Sequence, residues 1–159
     1  MQNTEEFFNA IKNGNIKTVA EMLKNNEALI KSRDARGSTP LILASYYQQK
    51  EIVQLLLSQG AGLDETDGSG NTALMGVCFK GYTDIAKMFV DAGADVNVTN
   101  AMGATGLIYA VTFNHLDIAK LLLENKANVS IKDARGNTAL DHAKTQDFKP
   151  LISLLESYR

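Results

Sequence analysis

The sequence carries a repeat of 33 residues that extends from residue 34 to the C-terminus. Acidic or amide residues, glycines, threonines, leucines and small residues recur at this spacing. The matching positions are Asp34, Asp67, Asn100 and Asp133; Gly37, Gly70, Gly103 and Gly136; Thr39, Thr72, Thr105 and Thr138; Leu41, Leu74, Leu107 and Leu140; Ala44, Val77, Ala110 and Ala143; Ile52, Ile85, Ile118 and Leu151; and Leu55, Met88, Leu121 and Leu154. A repeat of this length predicts an array in which each unit packs against its neighbours.

Each position of the repeat has a structural interpretation. Glycine permits the positive φ of a tight turn, and the threonine two residues later suits the N-cap of a helix. The leucine and the small residue that follow lie on one face of that helix. Gly81 and Asn114 tolerate the left-handed conformation and are expected to end the first helix of their units. A second helix then carries an Ile-x-x-Leu-Leu pattern, as at residues 52–56.

The repeat unit resembles the ankyrin repeat. Residues 34–44 read Asp-Ala-Arg-Gly-Ser-Thr-Pro-Leu-Ile-Leu-Ala, and residues 92–97 read Ala-Gly-Ala-Asp-Val-Asn. The resemblance covers essentially the whole chain. It implies an all-α ankyrin-repeat solenoid of about five stacked helix–turn–helix units, with β-turn or hairpin loops between them. It also implies a single domain over residues 1–159, with capping units at about 1–33 and 133–159 and inner units at 34–66, 67–99 and 100–132.

The sequence departs from the family at the start of the first helix. Ankyrin units usually read Thr-Pro-Leu-His, whereas this chain keeps the proline only at Pro40 and the histidine in none of its units. Gly106 replaces the proline in the fourth unit. Glycine costs about 0.5–1 kcal/mol relative to alanine within a helix. We therefore expect the fourth unit to be a weak point that Gly106→Ala would strengthen.

Composition limits the classes of function. The formal net charge of -2 gives no general attraction to phosphate backbones or anionic membranes. The single cysteine, Cys78, can form neither an intrachain disulfide nor a thiolate metal cluster. The N-terminus lacks the basic and apolar segments of a signal peptide, and no apolar run reaches membrane-spanning length. We expect a cytoplasmic monomer that does not contact membranes and uses no cofactor or metal.

The two helices of each unit differ in charge. Residues 37–49, 68–79 and 101–116 contain no Asp, Glu, Lys or Arg, whereas the second helices carry many. The family resemblance implies that the first helices and turn tips form a concave binding face. Among the positions that it assigns to partner binding are Arg36, Ser38, Tyr46, Tyr47, Asn71, Phe79, Lys80, Met102 and Phe113. We add Tyr109, which lies one helical turn before Phe113.

The large rings on this face allow two interpretations. Aromatic side chains concentrate binding energy in interface hot spots, so they predict a recognition stripe centred on Tyr46, Tyr47, Met102, Tyr109 and Phe113. The same rings could instead pack between adjacent first helices. Phe79 fits the packing interpretation best.

Two loop patterns suggest ligand binding but lack the necessary context. Gly68-x-Gly70 is similar to part of a dinucleotide fingerprint, yet no strand–helix–strand pattern surrounds it. Asp64, Asp67 and Asn71 are rich in oxygen atoms, but the spacing of a calcium loop and its closing glutamate are missing. Neither pattern predicts a nucleotide or cation site.

The histidines and the cysteine offer little support for catalysis. His115 lies two residues before Asp117, and His142 follows Asp141 and could approach Tyr109. Both histidines fall at positions where the family places ordinary helix residues. Cys78 lies among small residues of the repeat, so a packed thiol is expected.

These observations favour a protein-binding scaffold that serves as an adaptor, inhibitor or regulatory subunit. The alternative is a small-molecule or nucleic-acid binder that uses the concave groove. Nucleic acid is disfavoured because that face carries few charges. An enzyme is the third hypothesis, and the sequence shows no nucleophile beside a base, no paired acids and no metal cluster to support it.

Overall fold

The computed structural model describes residues 2–159, and its α-helices are short and come in pairs. They are α1 (Gln2–Lys12), α2 (Ile16–Asn25), α3 (Pro40–Tyr46), α4 (Lys50–Ser58), α5 (Ala73–Lys80), α6 (Thr83–Asp91), α7 (Gly106–Thr112), α8 (Leu116–Glu124), α9 (Ala139–Gln146) and α10 (Lys149–Glu156). A 3-10 helix that the sequence did not predict, Glu27–Lys31, follows α2. The described residues contain no β-strand. We call the odd-numbered helices first helices and the even-numbered helices second helices.

The chain divides into two compact units, here called unit 1 (Met1–Ala73) and unit 2 (Leu74–Arg159). In unit 1, α1 packs against α2 and α3, and α4 packs against α2 and α3. In unit 2, α7 packs against α8 and α9, and α8 and α9 both contact α10. First helices therefore lie beside first helices within each unit, as the repeat predicts. The single domain over residues 1–159 stays a prediction.

Threonine hydroxyls begin the first helices. The side chains of Thr39, Thr105 and Thr138 accept hydrogen bonds from backbone N–H groups three residues later. These bonds satisfy amides that have no partner within the helix. The predicted helix ends are also present, since φ is +82° at Gly81 and +60° at Asn114.

The residue that opens each turn holds the turn with one side-chain oxygen. Oδ1 of Asp34 accepts the N–H groups of Arg36 and Ser38, both at 2.9 Å. The same pair of bonds recurs at the other three repeat positions, Asp67, Asn100 and Asp133. Aspartate and asparagine serve equally because both provide this acceptor, which explains why Asn100 replaces aspartate in the repeat.

Adjacent turn tips are joined through their backbones. The N–H of Gly68 donates to the carbonyl of Arg36 at 3.1 Å in unit 1, and the N–H of Ala134 donates to the carbonyl of Met102 at 2.9 Å in unit 2. A Cβ atom added to Gly103 would lie 3.0 Å from the nitrogen of Ala134, whereas one added to Gly136 would meet nothing within 4 Å. Glycine is therefore required at residue 103 for two reasons, the close approach of the next turn and the positive φ.

Gly103→Ala should destabilise the protein more than Gly136→Ala. Both glycines have positive φ, at +70° and +82°. Alanine in that conformation costs about 1–2 kcal/mol at either position. Only the alanine at residue 103 would also crowd the next turn. Urea unfolding of the two variants measures the difference in free energy of unfolding, and equal losses would contradict this account.

The repeated apolar positions form the core. The repeat leucines at the start of the first helices are buried, and the small residues three positions later are completely so, as at Ala44 and Val77. On the second helices, the first residue of the Ile-x-x-Leu-Leu pattern and the last one are both buried, as at Ile52 and Leu56 or Ile118 and Leu122. The first leucine of the pattern, such as Leu55 or Leu121, is only half-buried. The second leucine of the pattern is thus the better-buried one.

Gly106 has a packing role that the repeat did not reveal. A Cβ atom added there would lie 3.1 Å from Sγ of Cys78, a distance that requires the neighbour to move. Cys78 is itself fully buried. The glycine on α7 and the thiol on α5 are therefore complementary in volume, and the helix-forming gain expected from Gly106→Ala is opposed by crowding.

The two residues should couple in a double-mutant cycle. Cys78→Ala removes the sulfur that would crowd a new methyl group, so Gly106→Ala should be more favourable in the Cys78→Ala protein than in the wild type. Directly contacting residues show coupling energies of about 0.5–3 kcal/mol. Free energies of unfolding from urea titrations of the four proteins test this. Additivity within about 0.5 kcal/mol would show that Gly106 is free to gain a side chain.

Candidate protein-binding surface

The exposed large apolar side chains are concentrated on the first helices and a turn tip. Among the described residues they are Tyr46, Tyr47, Phe79, Met102, Phe113 and Tyr158, with exposed fractions between 41% and 60%. All but Tyr158 belong to the predicted binding face. The core of the repeat is filled by other residues, so these side chains are not needed to build it.

Unit 1 carries a groove of about 590 Å³ beside α3, here called the unit 1 groove. Its lining includes Ile42, Leu43 and the rings of Tyr46 and Tyr47. Polar residues that complete the lining are Lys12, Asp34, Arg36, Ser38, Asp67 and Ser69. The two tyrosine rings meet edge to face, with their centroids 6.1 Å apart. The groove thus brings together Arg36, Ser38, Tyr46 and Tyr47 from the predicted site.

Hydrogen bonds fix the backbone on both sides of the unit 1 groove. At the turn tip, the N–H of Arg36 donates to Asp34 and its carbonyl accepts from Gly68. At the end of α1, Nε2 of Gln49 donates to the carbonyl of Lys12 at 2.9 Å. The charged side chains of the groove therefore extend from positions that the repeat contacts hold in place.

The structure changes two details of the predicted site in unit 1. Ser38 is buried, with 8% of its surface exposed, because it closes the Asp34 turn. It contributes to the wall of the groove and is not an exposed contact residue. Lys12 was missed, although the spacing could have identified it. Lys12 lies 34 residues before Tyr46, which is the interval between the first two units, and Tyr46 lies 33 before Phe79.

Unit 2 presents three rings in contact, here called the ring cluster: Phe79, Tyr109 and Phe113. Phe79 lies on α5, and its ring centroid is 4.6 Å from that of Phe113 and 5.9 Å from that of Tyr109, both edge to face. Phe79 and Phe113 are 41% and 45% exposed, whereas Tyr109 is half-buried. The rings pack between first helices and also remain open to solvent, so both sequence interpretations describe part of the arrangement.

Tyr109 has an identifiable structural role. Nδ2 of Asn100 donates to the Tyr109 hydroxyl at 2.7 Å, while Oδ1 of the same side chain holds the turn. One repeat later, His142 occupies the position of Tyr109, and its Nε2 contacts Oδ2 of Asp133 at 2.7 Å. This bond gives His142 a partner within its own repeat. Tyr109 supports the turn and contributes one ring edge to the ring cluster.

Three predicted residues lie outside the groove and the ring cluster. Met102 is 60% exposed at its turn tip, and its backbone carries the link to the next turn. Nζ of Lys80 lies 5.9 Å from the ring centroid of Tyr82. The N–H of Asn71 donates to Asp67 and its carbonyl accepts from Asp67. Asn71 is thus a turn residue.

A family model described as ankyrin repeats in three copies matches residues 7–100 and 77–157. The chain belongs to the ankyrin repeat family. The predicted all-α ankyrin-repeat fold is confirmed. A search of curated proteins found no match. Ankyrin repeats are generally protein–protein interaction modules. None of the described helices in this ankyrin chain is long and apolar enough to cross a membrane.

The groups that might have supported chemistry are used within the ankyrin repeats. Cys78 is fully buried, and this burial raises the pKa of its thiol far above the usual range, so the reactive thiolate is suppressed. Nε2 of His115 donates to the carbonyl of Phe79 at 3.2 Å, which links the ends of two repeats. Within residues 2–159, no group of three or more His, Cys, Asp or Glu side chains is arranged to hold a metal ion.

Asp133 and His142 form a structural pair. Burial raises the pKa of Asp133, but hydrogen bonds from the N–H of Asn137 and from His142 outweigh it and lower the pKa below its ordinary value. The folded state therefore favours the ionised carboxylate, a contribution to stability that is present above the unfolded pKa and lost as the pH falls through the folded pKa. The pair stabilises a turn of the last ankyrin repeat.

Proposed function

We propose that this ankyrin chain is a non-catalytic protein-binding module, acting as an adaptor, inhibitor or regulatory subunit, and that its partner contacts the first helices and turn tips. The observation that carries the proposal is the exposure of Tyr46, Tyr47, Phe79, Met102 and Phe113 on a face where the repeat requires no large apolar group. In this proposal it acts as a cytoplasmic monomer.

The exposed rings can supply binding energy. An aromatic side chain buries about 150–250 Å² when fully covered, so covering the exposed half of one ring removes about 100 Å² from water. At about 25 cal/mol per Å², this gives roughly 2–3 kcal/mol per ring before the costs of association. Each ring that a partner covers can therefore contribute substantially to the free energy of binding.

The second helices have the composition of a solvated surface. Glu51, Asp117 and Lys120 are exposed, and Lys87 forms an exposed i,i+4 ion pair with Asp91. Such pairs contribute little to stability and are well satisfied by water. The apolar rings of the first helices lose more from contact with water, so the first-helix surface is the better candidate for a partner.

Affinity capture from cell lysate tests the proposal. The wild type is compared with Tyr46→Ala/Tyr47→Ala, which alters unit 1, and with Phe113→Ala, which alters unit 2. Tyr158→Ala is the matched control because Tyr158 is equally exposed but lies after α10. At least one ring variant should lose a captured protein by tenfold or more, while Tyr158→Ala retains it.

Thermal unfolding separates binding from stability. Because the mutated rings are only partly buried, each substitution should cost less than the roughly 3–5 kcal/mol typical of a buried ring. A protein captured equally by all variants would contradict the proposed surface. If the wild type captured nucleic acid with a steep dependence on salt, the nucleic-acid alternative would replace it.

A further inference from the structure

The unit 1 groove differs from the ring cluster because charged side chains lie beside its rings. The cations are Lys12 and Arg36, and the carboxylates are Asp34 and Asp67. These groups occupy different positions in the hydrogen-bond network, so they are not equally available to a partner.

The carboxylates are already engaged by the turns that they open. One oxygen of Asp34 and one of Asp67 each accept two backbone N–H groups at 2.9 Å. Both aspartates keep their negative charge, but they are half-buried in the turns, whereas Lys12 and Arg36 are exposed. In contrast, the side chains of Lys12 and Arg36 form no hydrogen bond or ion pair within residues 2–159. The two cations are therefore the most accessible charged groups of the groove.

These cations extend from backbone that hydrogen bonds hold in place. Gln49 fixes the carbonyl of Lys12, and the contact with Gly68 fixes the carbonyl of Arg36. Apolar side chains of Ile42 and Leu43 and the two tyrosine rings line the same groove. A partner therefore meets a mixed surface of tyrosine rings and polar groups, with accessible cations on a backbone that needs little rearrangement, which reduces the entropic cost of binding.

We propose that the unit 1 groove binds an extended peptide segment in which acidic side chains flank a large apolar side chain. The apolar side chain would contact mainly the exposed rings of Tyr46 and Tyr47, above the buried side chains of Ile42 and Leu43, while the carboxylates would pair with Lys12 and Arg36. The groove of about 590 Å³ lies within the range of roughly 300–1,000 Å³ found for ligand pockets. This inference rests on the proposed function, since it assigns a partner chemistry to part of the same surface.

A random peptide library displayed on phage tests the assignment with the full-length protein. Phage that bind the wild type are retained, and those that also bind Tyr46→Ala/Tyr47→Ala are removed. The remaining pool should be enriched in Asp or Glu next to Leu, Ile, Phe or Tyr. A pool without excess acidic residues, a pool rich in Lys or Arg, or no pool that requires the tyrosines would overturn the assignment.

A charge-matched pair of variants tests the roles of the two cations. A synthetic peptide from the enriched pool is labelled, and its affinity is measured by fluorescence anisotropy. Lys12→Gln/Arg36→Gln should weaken binding by about 2- to 30-fold, the range for two exposed ion pairs. Lys17→Gln/Lys24→Gln removes the same charge from exposed positions on α2 and should leave the affinity unchanged. Equal loss in both double variants would overturn the role of the groove cations.

The outcomes separate this inference from the proposed function. Neutral or basic peptides that still require Tyr46 and Tyr47 would leave the groove as a protein-binding surface and refute only its acidic preference. If no peptide requires the tyrosines, the acidic-peptide assignment fails, and the lysate capture decides separately whether a protein partner uses the rings.

Discussion

The side-chain oxygen that opens each turn accepts two backbone N–H groups, at Asp34, Asp67, Asn100 and Asp133. This pair of bonds fixes the turn before the first helix starts, and the following threonine then caps that helix, as at Thr39, Thr105 and Thr138. The turn also brings its outer carbonyl against the next turn, as Arg36 does with Gly68. Helix direction and spacing between repeats both depend on this one acceptor.

A fixed turn separates the residues that build the repeat from those that can vary. The repeated leucines and small residues fill the core, and the N–H and carbonyl groups of the tips are used in contacts between repeats. Several side chains at the tips and at the ends of the first helices are not needed for the turn or the core. Arg36 is one of them, and Phe113 packs on Phe79 while staying 45% exposed, whereas Tyr109 and Ser38 are partly or wholly committed to their turns. The proposed binding face thus consists of side chains that the turn and the core do not require.

The fold could be predicted from the sequence because the residues that determine each turn, cap and buried position recur in several repeats. The Thr caps, the positive φ at Gly81 and the burial of the repeated leucines all follow from residue type and spacing. Pairwise packing could not be predicted in this way. The fit of Gly106 against Cys78 depends on a distance between two helices, and neither residue signals it alone.

The candidate site could be predicted only in part, for a related reason. Position within the repeat identified the exposed rings, because a large apolar residue at a position that needs none is visible in the sequence. The unit 1 groove was not visible as a cavity because its walls come from different repeats. Lys12 reaches it through the packing of α1 on α3, and Asp67 reaches it through the contact between the Arg36 and Gly68 turns. The burial of Ser38 was not predicted, because it depends on the folded turn, in which the N–H of Ser38 donates to the Asp34 carboxylate.

Hydrogen–deuterium exchange of the protein, alone and with the captured partner, tests the central claim that binding uses the first-helix side of the repeats. The account predicts slower exchange on binding at turn tips and first helices, within residues 34–47, 67–80 or 101–113, and unchanged exchange in α4, α6 and α8. Slower exchange concentrated in those second helices, with the turn tips unchanged, would contradict it.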